Sequence, residues 1–374
     1  MFSGHVFGQN LNDISFGNDS TFDVITWNIE WFPKSGTITV DSVSKIIESL
    51  NADLIGLQEI DDTSLCRQMI DNIPGYDLFM DDDWFGGLAY VYKTSSINVQ
   101  SIYKIYDKAQ YWNAFPRSPL VMELTYMGEE LIVINNHFKC CGDGIIDMGN
   151  SSDEEFRRYE ASTLLKQYID SNFASDRVIL IGDLNDVITD SSPNNVFQVF
   201  LNDSNNYLFV DYNIANGATT NWSFPNWPSH LDHILITNEL FSEFSSSGSG
   251  VQTIRVDDFM SGGLVDYDYY ISDHRPVGMK VKVIPTTSSL IEYSRPKINI
   301  YPNPTDGHSS LDLSQFKGDV EVTISDLNGT VIKSMQYQGN QLVDFNFDGP
   351  AGMYLLIAKS SNDISVLKLT KRAE

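Results

Sequence analysis

Six short strings of acids, amides and histidines punctuate this chain, and nearly every one follows an apolar run of β type. They are Trp27-Asn28-Ile29-Glu30, Gln58-Glu59-Ile60, Asn136-His137-Phe138, Gly182-Asp183-Leu184-Asn185-Asp186, Leu231-Asp232-His233-Ile234 and Ser272-Asp273-His274-Arg275-Pro276. The runs read FDVITWN, ADLIGLQE, ELIVINNH, RVILIGDLN and HLDHILI. Apolar runs of this length between turn signals are buried strands. The polar groups are therefore expected together at the ends of adjacent strands, where α/β proteins build their sites. Carboxylates, amides and two separate histidines converging this way are what metal-assisted attack on a phosphate ester requires.

From Thr21 to about Val283 strands alternate with helices. The apolar spacing predicts helices over Asp41–Leu50, with Asp41 as N-cap, over Leu65–Ile73, stopped by Pro74-Gly75, and over Asp153–Phe173, with Ser152 capping and Glu155 at capping-box spacing. Strands outnumber helices, and consecutive strands often lack a crossover helix, which points to mixed sheets rather than one parallel sheet. Residues 285–296 (PTTSSLIEYSRP) have linker composition. From Lys297 the texture changes to short strands with turn signals, Asn328-Gly329 being a strong hairpin signal, which predicts a small all-β sandwich. The expected layout is a loose arm over 1–20, a catalytic domain over 21–284, a linker over 285–296 and the β-sandwich over 297–374. Met1-Phe2-Ser3-Gly4-His5 lacks the basic and apolar parts of a signal peptide, so the arm reads as a segment whose leader has been removed. No apolar run reaches the length of a membrane span.

The formal charge is -26, from 24 basic and 50 acidic residues. From Pro285 onward there are 8 basic and 10 acidic residues, which leaves 16 and 40 before it. Long-range attraction to a polyanion is therefore not built into the bulk surface, and a divalent ion must offset charge locally or the substrate is small. Three cysteines, Cys66, Cys140 and Cys141, are too few for a disulfide framework and fit no zinc pattern. In an oxidising compartment one pair is expected, and Cys66 with either of the others would pin the loop beside His137.

Cleaving a phosphate ester means neutralising phosphoryl charge, positioning and deprotonating a water, and stabilising the leaving oxygen. Asn28, Glu30, Glu59 and Asp273 are hard oxygen ligands suited to Mg²⁺, with Mn²⁺ or Ca²⁺ as alternatives. Asp183 and Asn185 occupy alternate positions of one strand end and so share a face. Asp183 suits the base and Asn185 a donor to a phosphoryl oxygen. Asp232 can hold the His274 imidazole in one tautomer, His137 supplies a second donor, and Arg117 is a phosphate clamp.

These strings together resemble the endonuclease/exonuclease/phosphatase superfamily, the fold of deoxyribonuclease-I-like nucleases, abasic-site endonucleases, sphingomyelinases and inositol-phosphate phosphatases. The likeness runs from about Phe22 to Val283. It implies an α+β fold, a four-layer α/β/β/α sandwich of two mixed β-sheets. It also implies metal ligation by Asn28 and Glu59, with Glu30 and Asp273 as further acids. Asp183 and Asn185 match the water-orienting pair and Asp232 with His274 the carboxylate–histidine dyad. Arg117, in Phe115-Pro116-Arg117-Ser118-Pro119, matches an arginine that touches phosphate, and His137 the second histidine. Asp61 stands where deoxyribonuclease-I-like members often carry Arg, and Gly86-Gly87 where some carry Glu. The tail, with Tyr301-Pro302-Asn303-Pro304, Asp326-Leu327-Asn328-Gly329 and Gly352-Met353-Tyr354-Leu355, resembles the type IX secretion sorting domain. It implies a secreted or surface-attached protein handled by that machinery.

The expectation is a monomeric, Mg²⁺-dependent phosphodiester hydrolase, a nuclease acting on extracellular DNA or RNA. The alternative is a phosphatase or phosphodiesterase on small or lipid phosphates of inositol-phosphate or sphingomyelin type. A binding module on a decayed nuclease fold is disfavoured because every expected site residue is present. His5, His230, His233 and His308 read as structural, and Asp81-Asp82-Asp83 as a solvated turn. Trp222, Phe224 and Trp227 read as loop packing or as a stacking surface. Glu154-Glu155 and Arg157-Arg158 read as an exposed helix face.

Overall fold

A computed structural model describes residues 10–80, 87–284, 296, 298–327, 329–361 and 363–372. The Asp81-Asp82-Asp83 turn, Gly86, nearly all of the 285–296 linker, Asn328 and His5 lie outside the described residues. The chain divides into two compact units, Met1–Pro285 and Thr286–Glu374.

In the first unit the strands are β1 (Phe22–Phe32), β2 (Leu54–Ile60), β3 (Tyr76–Met80), β4 (Gly87–Lys93), β5 (Ile97–Lys104), β6 (Leu120–Tyr126), β7 (Glu129–His137), β8 (Val178–Asp183), β9 (Tyr207–Phe209), β10 (Asp232–Thr237), β11 (Gly250–Thr253) and β12 (Val277–Val281). The helices are α1 (Thr37–Leu50), α2 (Thr63–Asp71), α3 (Glu154–Asn172), α4 (Gln198–Leu201), α5 (Tyr212–Ala215), α6 (Phe241–Phe244) and α7 (Leu264–Tyr270). Two six-stranded mixed sheets form, in the orders β11-β12-β1-β2-β4-β3 and β5-β6-β7-β8-β10-β9. In each, one parallel pair (β1 with β2, β7 with β8) sits among antiparallel neighbours.

Three apolar clusters define four layers. One lies between the sheets and includes Val24, Leu54, Val133, Ile181, Ile234 and Val277. Another packs α1, α2 and α7 on the first sheet through Ile46, Ile47, Met69, Ile70 and Tyr267. The third packs α3 on the second sheet through Ala161, Leu165 and Ile169. Burying each large apolar side chain contributes about 1.5–3 kcal/mol, so alternation yields to near-continuous burial along β1 and β8. Polar groups also cross this interior. Gln58 Nε2 donates to Asn135 Oδ1 at 2.7 Å, and Asn135 Nδ2 donates to the Leu57 and Ala89 carbonyls at 3.0 and 3.1 Å. A bridge whose every group is paired fixes how the two sheets align.

Local chemistry moves several expected boundaries. Helix α1 begins at Thr37 after Gly36 (φ 62°), four residues before Asp41, because Thr39 is buried and ties the first turn to Ser35 N and Tyr270 O. Helix α2 begins at Thr63 with Asp62 accepting from Leu65 N–H. Asp153, not Ser152, caps α3, accepting from Phe156 N–H at 2.7 Å. Residues 10–20 are docked rather than loose, since Ile14 and Phe16 bury in the cluster under α1.

The second unit contains β13 (Asn299–Tyr301), β14 (His308–Asp312), β15 (Asp319–Ser325), β16 (Val331–Gln338), β17 (Leu342–Asn346), β18 (Gly352–Lys359) and β19 (Ile364–Lys371). They form antiparallel sheets of three and four strands around Leu311, Phe316, Val322, Phe347 and Leu356. Strands β15 and β16 pair as the hairpin signal at Asn328-Gly329 predicts.

Candidate active site

The site forms where the C-terminal ends of β1, β2, β7 and β8 meet the start of β10. Register places His137, Asp183 and Asp232 in one row, with His137 opposite Asp183 and Asp183 opposite Asp232. In the facing sheet the β1–β2 ladder slips between Asn28 and Phe32. Glu30, Trp31 and Glu59 there take positive φ values of 37°, 49° and 62°. Such bulges re-aim side chains at a sheet end. Gly182 (φ 152°) passes so close to β7 that an added Cβ would lie 2.1 Å from the Asn136 carbonyl oxygen, which accounts for the glycine before Asp183.

Asp183 stands at the centre. Its Oδ2 accepts from Asn28 Nδ2 at 3.0 Å and Asn185 Nδ2 at 3.1 Å, and lies 3.5 Å from His137 Nε2 and 3.8 Å from His274 Nε2. Asn185 reaches it differently from expectation. Strand β8 ends at Asp183, and Asn185 returns through a left-handed turn (φ 54°), its backbone N–H donating to Asp183 Oδ1. Asn28 also donates to Glu59 Oε1 at 3.0 Å, while its own Oδ1 accepts from Glu30 N–H. It thus turns N–H groups, not its oxygen, toward the carboxylates. Glu30 is drawn aside, paired with Lys34 and accepting from Asp273 N–H at 2.8 Å.

His274 Nδ1 donates to Asp232 Oδ2 at 2.8 Å, and its Nε2 faces Asp183 and, at 3.9 Å, Asp273. Its backbone is held by Ser272, whose Oγ accepts from His274 N–H and donates to the Asn28 carbonyl. Trp27 and Tyr267 both donate to the His274 carbonyl. Buried Arg275 grips Asp257 with Nε and Nη2 and donates to the Thr220 carbonyl, tying the 272–276 loop to the 219–231 loop. From that second loop Phe224 packs on the His274 ring, centroids 4.8 Å apart. Ser223, whose Oγ accepts from Leu231 and Asp232 N–H, and Asp257 are supporting residues that lie outside the strings, and Ser272 is one inside them that carries no expected role.

The electrostatics push like groups apart. Burial, then the Arg117 and His274 charges, hold the His137 pKa well below the histidine range. Burial also opposes charge on His274, but Asp232 and Asp183 overcome it and hold that pKa well above. Burial, then Asp232 and Glu59, push Asp183 up to about 7 against the pull of His274 and Asn28. Burial and neighbouring acids also raise Glu30 and Asp273. A neutral and a charged imidazole around one high-pKa carboxylate can divide acid and base work. Arg117 is half-buried on the β5–β6 connection, close enough for its charge to act on His137.

Glu59, His137 and Asp183 offer ligand atoms within 4.8 Å of one another, as do Asp183, Asp232 and His274. Several carboxylates burdened by one another's charge are a donor set that a hard divalent cation relieves. A third such group, Asp211, His230 and His233, is spoken for. His233 joins Asp211 at 2.6 Å to the Asp186 carbonyl at 2.9 Å, and His230 bridges Asp211 and Ser223 N–H. His230 and His233 are thus core histidines, as expected.

The Glu155 and Arg158 expectation is corrected. Both are buried: Arg158 Nε donates to Asp186 Oδ2 at 2.7 Å, Nη1 to the Lys139 and Cys141 carbonyls, and Nη2 meets Glu155 Oε1 at 3.2 Å. The expected bridge from Cys66 is not formed: Cys66 lies on the buried face of α2, and all three cysteines are free thiols.

A double sheet with carboxylates and histidines gathered at one edge defines a phosphoester hydrolase. Residues 25–274 match the model of the Endonuclease/Exonuclease/phosphatase family, and the chain belongs to that family, whose chemistry depends on a divalent metal. Residues 299–372 match the Secretion system C-terminal sorting domain, so the protein is exported by type IX secretion and is secreted or held at the cell surface. Among solved structures, D. rerio TDP2 complexed with single strand DNA product aligns at 14% identity and TM-score 0.51, over 71% of this chain and all of that one. The human Nocturnin catalytic domain with bound sulfate aligns at 15% identity and TM-score 0.50, over 70% of this chain and 94% of that one. These likenesses carry the fold. No curated protein matches the chain. Among the described residues no helix is long and apolar enough to cross a membrane.

Proposed function

We propose that this protein is an exported, divalent-metal-dependent nuclease, with its catalytic domain over 21–284, a linker over 285–296 and the sorting domain over 297–374. The convergence on Asp183 Oδ2 of Asn28, Asn185, His137 and His274, all within 3.8 Å, carries the reading.

Glu59 would hold the cation, with Asp273 and Glu30 beside it; Asn28 would join through its oxygen only if its amide turned over. When bound, a divalent ion such as Mg²⁺ neutralises charge on a phosphoryl oxygen. Asp183 accepts the proton of the attacking water, and Asn185 orients both. His274, held as imidazolium by Asp232, donates to the phosphoryl group as negative charge builds. Neutral His137 gives a further hydrogen bond, and Arg117 faces the phosphate.

Two observations favour nucleic acid as substrate. Trp31, Trp112 and Trp227 are 50%, 61% and 78% exposed on the segments that carry Glu30, Arg117 and the His274-packing Phe224. Exposed indole faces stack on bases. The D. rerio TDP2 structure of this fold holds a single strand DNA product. The acid excess favours a second reading, a small or lipid phosphate ester. A panel of plasmid DNA, single-stranded DNA, RNA, bis-nitrophenyl phosphate, inositol phosphates and sphingomyelin, each with Mg²⁺, Mn²⁺ and Ca²⁺, tests the choice. Nucleic-acid cleavage is expected. Turnover of inositol phosphates or sphingomyelin alone would overturn it.

A further inference from the structure

We propose that Cys140 and Cys141 are a redox modification site, closing to a vicinal disulfide in the exported protein. The two sulfurs already lie 2.9 Å apart. Cys141 is exposed, Cys140 partly so, and Cys141 sits in the left-handed region (φ 73°) that residues other than glycine rarely adopt. The turn thus holds the pair face to face instead of letting adjacent side chains diverge. Cys66, the third thiol, is fully buried in the core and cannot compete.

Export places the pair where disulfides persist. The oxidant is a low-molecular-weight disulfide, RSSR. The Cys141 thiolate attacks one sulfur and expels RS⁻, leaving a mixed disulfide. The Cys140 thiolate then attacks Cys141 Sγ and expels the second RS⁻. Two protein thiols lose two electrons and two protons, and RSSR becomes two RSH.

Magnitudes decide what such a bridge is for. Adjacent Cα atoms are about 3.8 Å apart, shorter than the roughly 4.4–6.8 Å of relaxed disulfides, so the ring is strained and readily reduced. It closes almost no loop, so it removes little unfolded-state entropy. The bridge is therefore a labile mark rather than a staple. It sits three residues after His137, between the carbonyls of Lys139 and Cys141 that both receive Arg158 Nη1.

Full-length protein recovered from the medium without reductant, alkylated in denaturant and digested with trypsin, tests the inference. The peptide Cys140–Arg157 should be unalkylated and lighter by two hydrogens, with Cys66 alkylated. Brief treatment with a small thiol before alkylation should label both. In Cys141→Ser, Cys140 should label without reduction or carry the small thiol as a mixed disulfide. Free alkylation of both cysteines in the untreated wild type, or a cross-link to Cys66 or to a second chain, would overturn it.

Discussion

His274 Nδ1 meets Asp232 Oδ2 at 2.8 Å, a bond that joins the loop before β12 in one sheet to the first residue of β10 in the other. Both partners are buried, and the pair presents His274 Nε2 to Asp183. Asp232→Asn keeps the shape but removes the charge that holds the imidazolium. It is expected to lower kcat by about 10²–10⁴-fold, and ¹⁵N-histidine NMR should show the His274 pKa falling. An unchanged titration would contradict the assigned pairing.

Asp183→Asn separates function from stability. The folded pKa of Asp183 is about 7 against an ordinary value of 3.8. Its stabilising contribution is therefore full only below the unfolded pKa and is lost as pH rises through about 7. At pH 8 the wild type bears the whole cost of the buried charge. The variant is expected to be inactive yet more stable there, by on the order of 1 kcal/mol or more, and to lose that advantage near pH 4. Thermal melts across this range read it directly.

Trp227 tips a tight turn closed by Phe224 and Ser229, which bond each other through both backbone groups. Removing one stacked base contact costs about 1–3 kcal/mol. Trp227→Ala is expected to raise KM for a single-stranded oligonucleotide by roughly 5–150-fold with kcat little changed. Sphingomyelin or an inositol phosphate would show no such split.

Arg158 satisfies Asp186 and Glu155 inside the protein. Removing one partner of a buried ion pair costs about 3–5 kcal/mol. Arg158→Ala should destabilise the fold by that order in urea denaturation. Arg157→Ala, which removes a half-buried side chain bonded to the Asn113 carbonyl, should cost less.

The strand-end strings made the fold and the central residues legible because apolar runs fix which backbone is buried, and the residues just past each run must emerge at a sheet edge. Short-range rules failed where tertiary contacts outrank them. The Glu155-x-x-Arg158 spacing suits a solvent-facing pair, yet the Lys139–Cys141 carbonyls and Asp186 draw Arg158 inward. Asn185 was reachable from strand alternation only by accident, since a left-handed turn brings it to Asp183. The turned Asn28 oxygen depends on the local backbone bulge after it, the Ser272 bridge on two neighbouring strands of one sheet, and the Phe224 contact on two sheets meeting; none of these shows in the order of residues.

The most direct measurement is hydrolysis of a labelled single-stranded oligonucleotide by chelator-stripped protein as Mg²⁺ is titrated back, in wild type, Glu59→Gln and His274→Ala. The account predicts no turnover without metal, saturable recovery in the wild type, and a loss of about 10²-fold or more in both variants with the fold intact. Turnover that survives chelation, or a fully active Glu59→Gln, would contradict it.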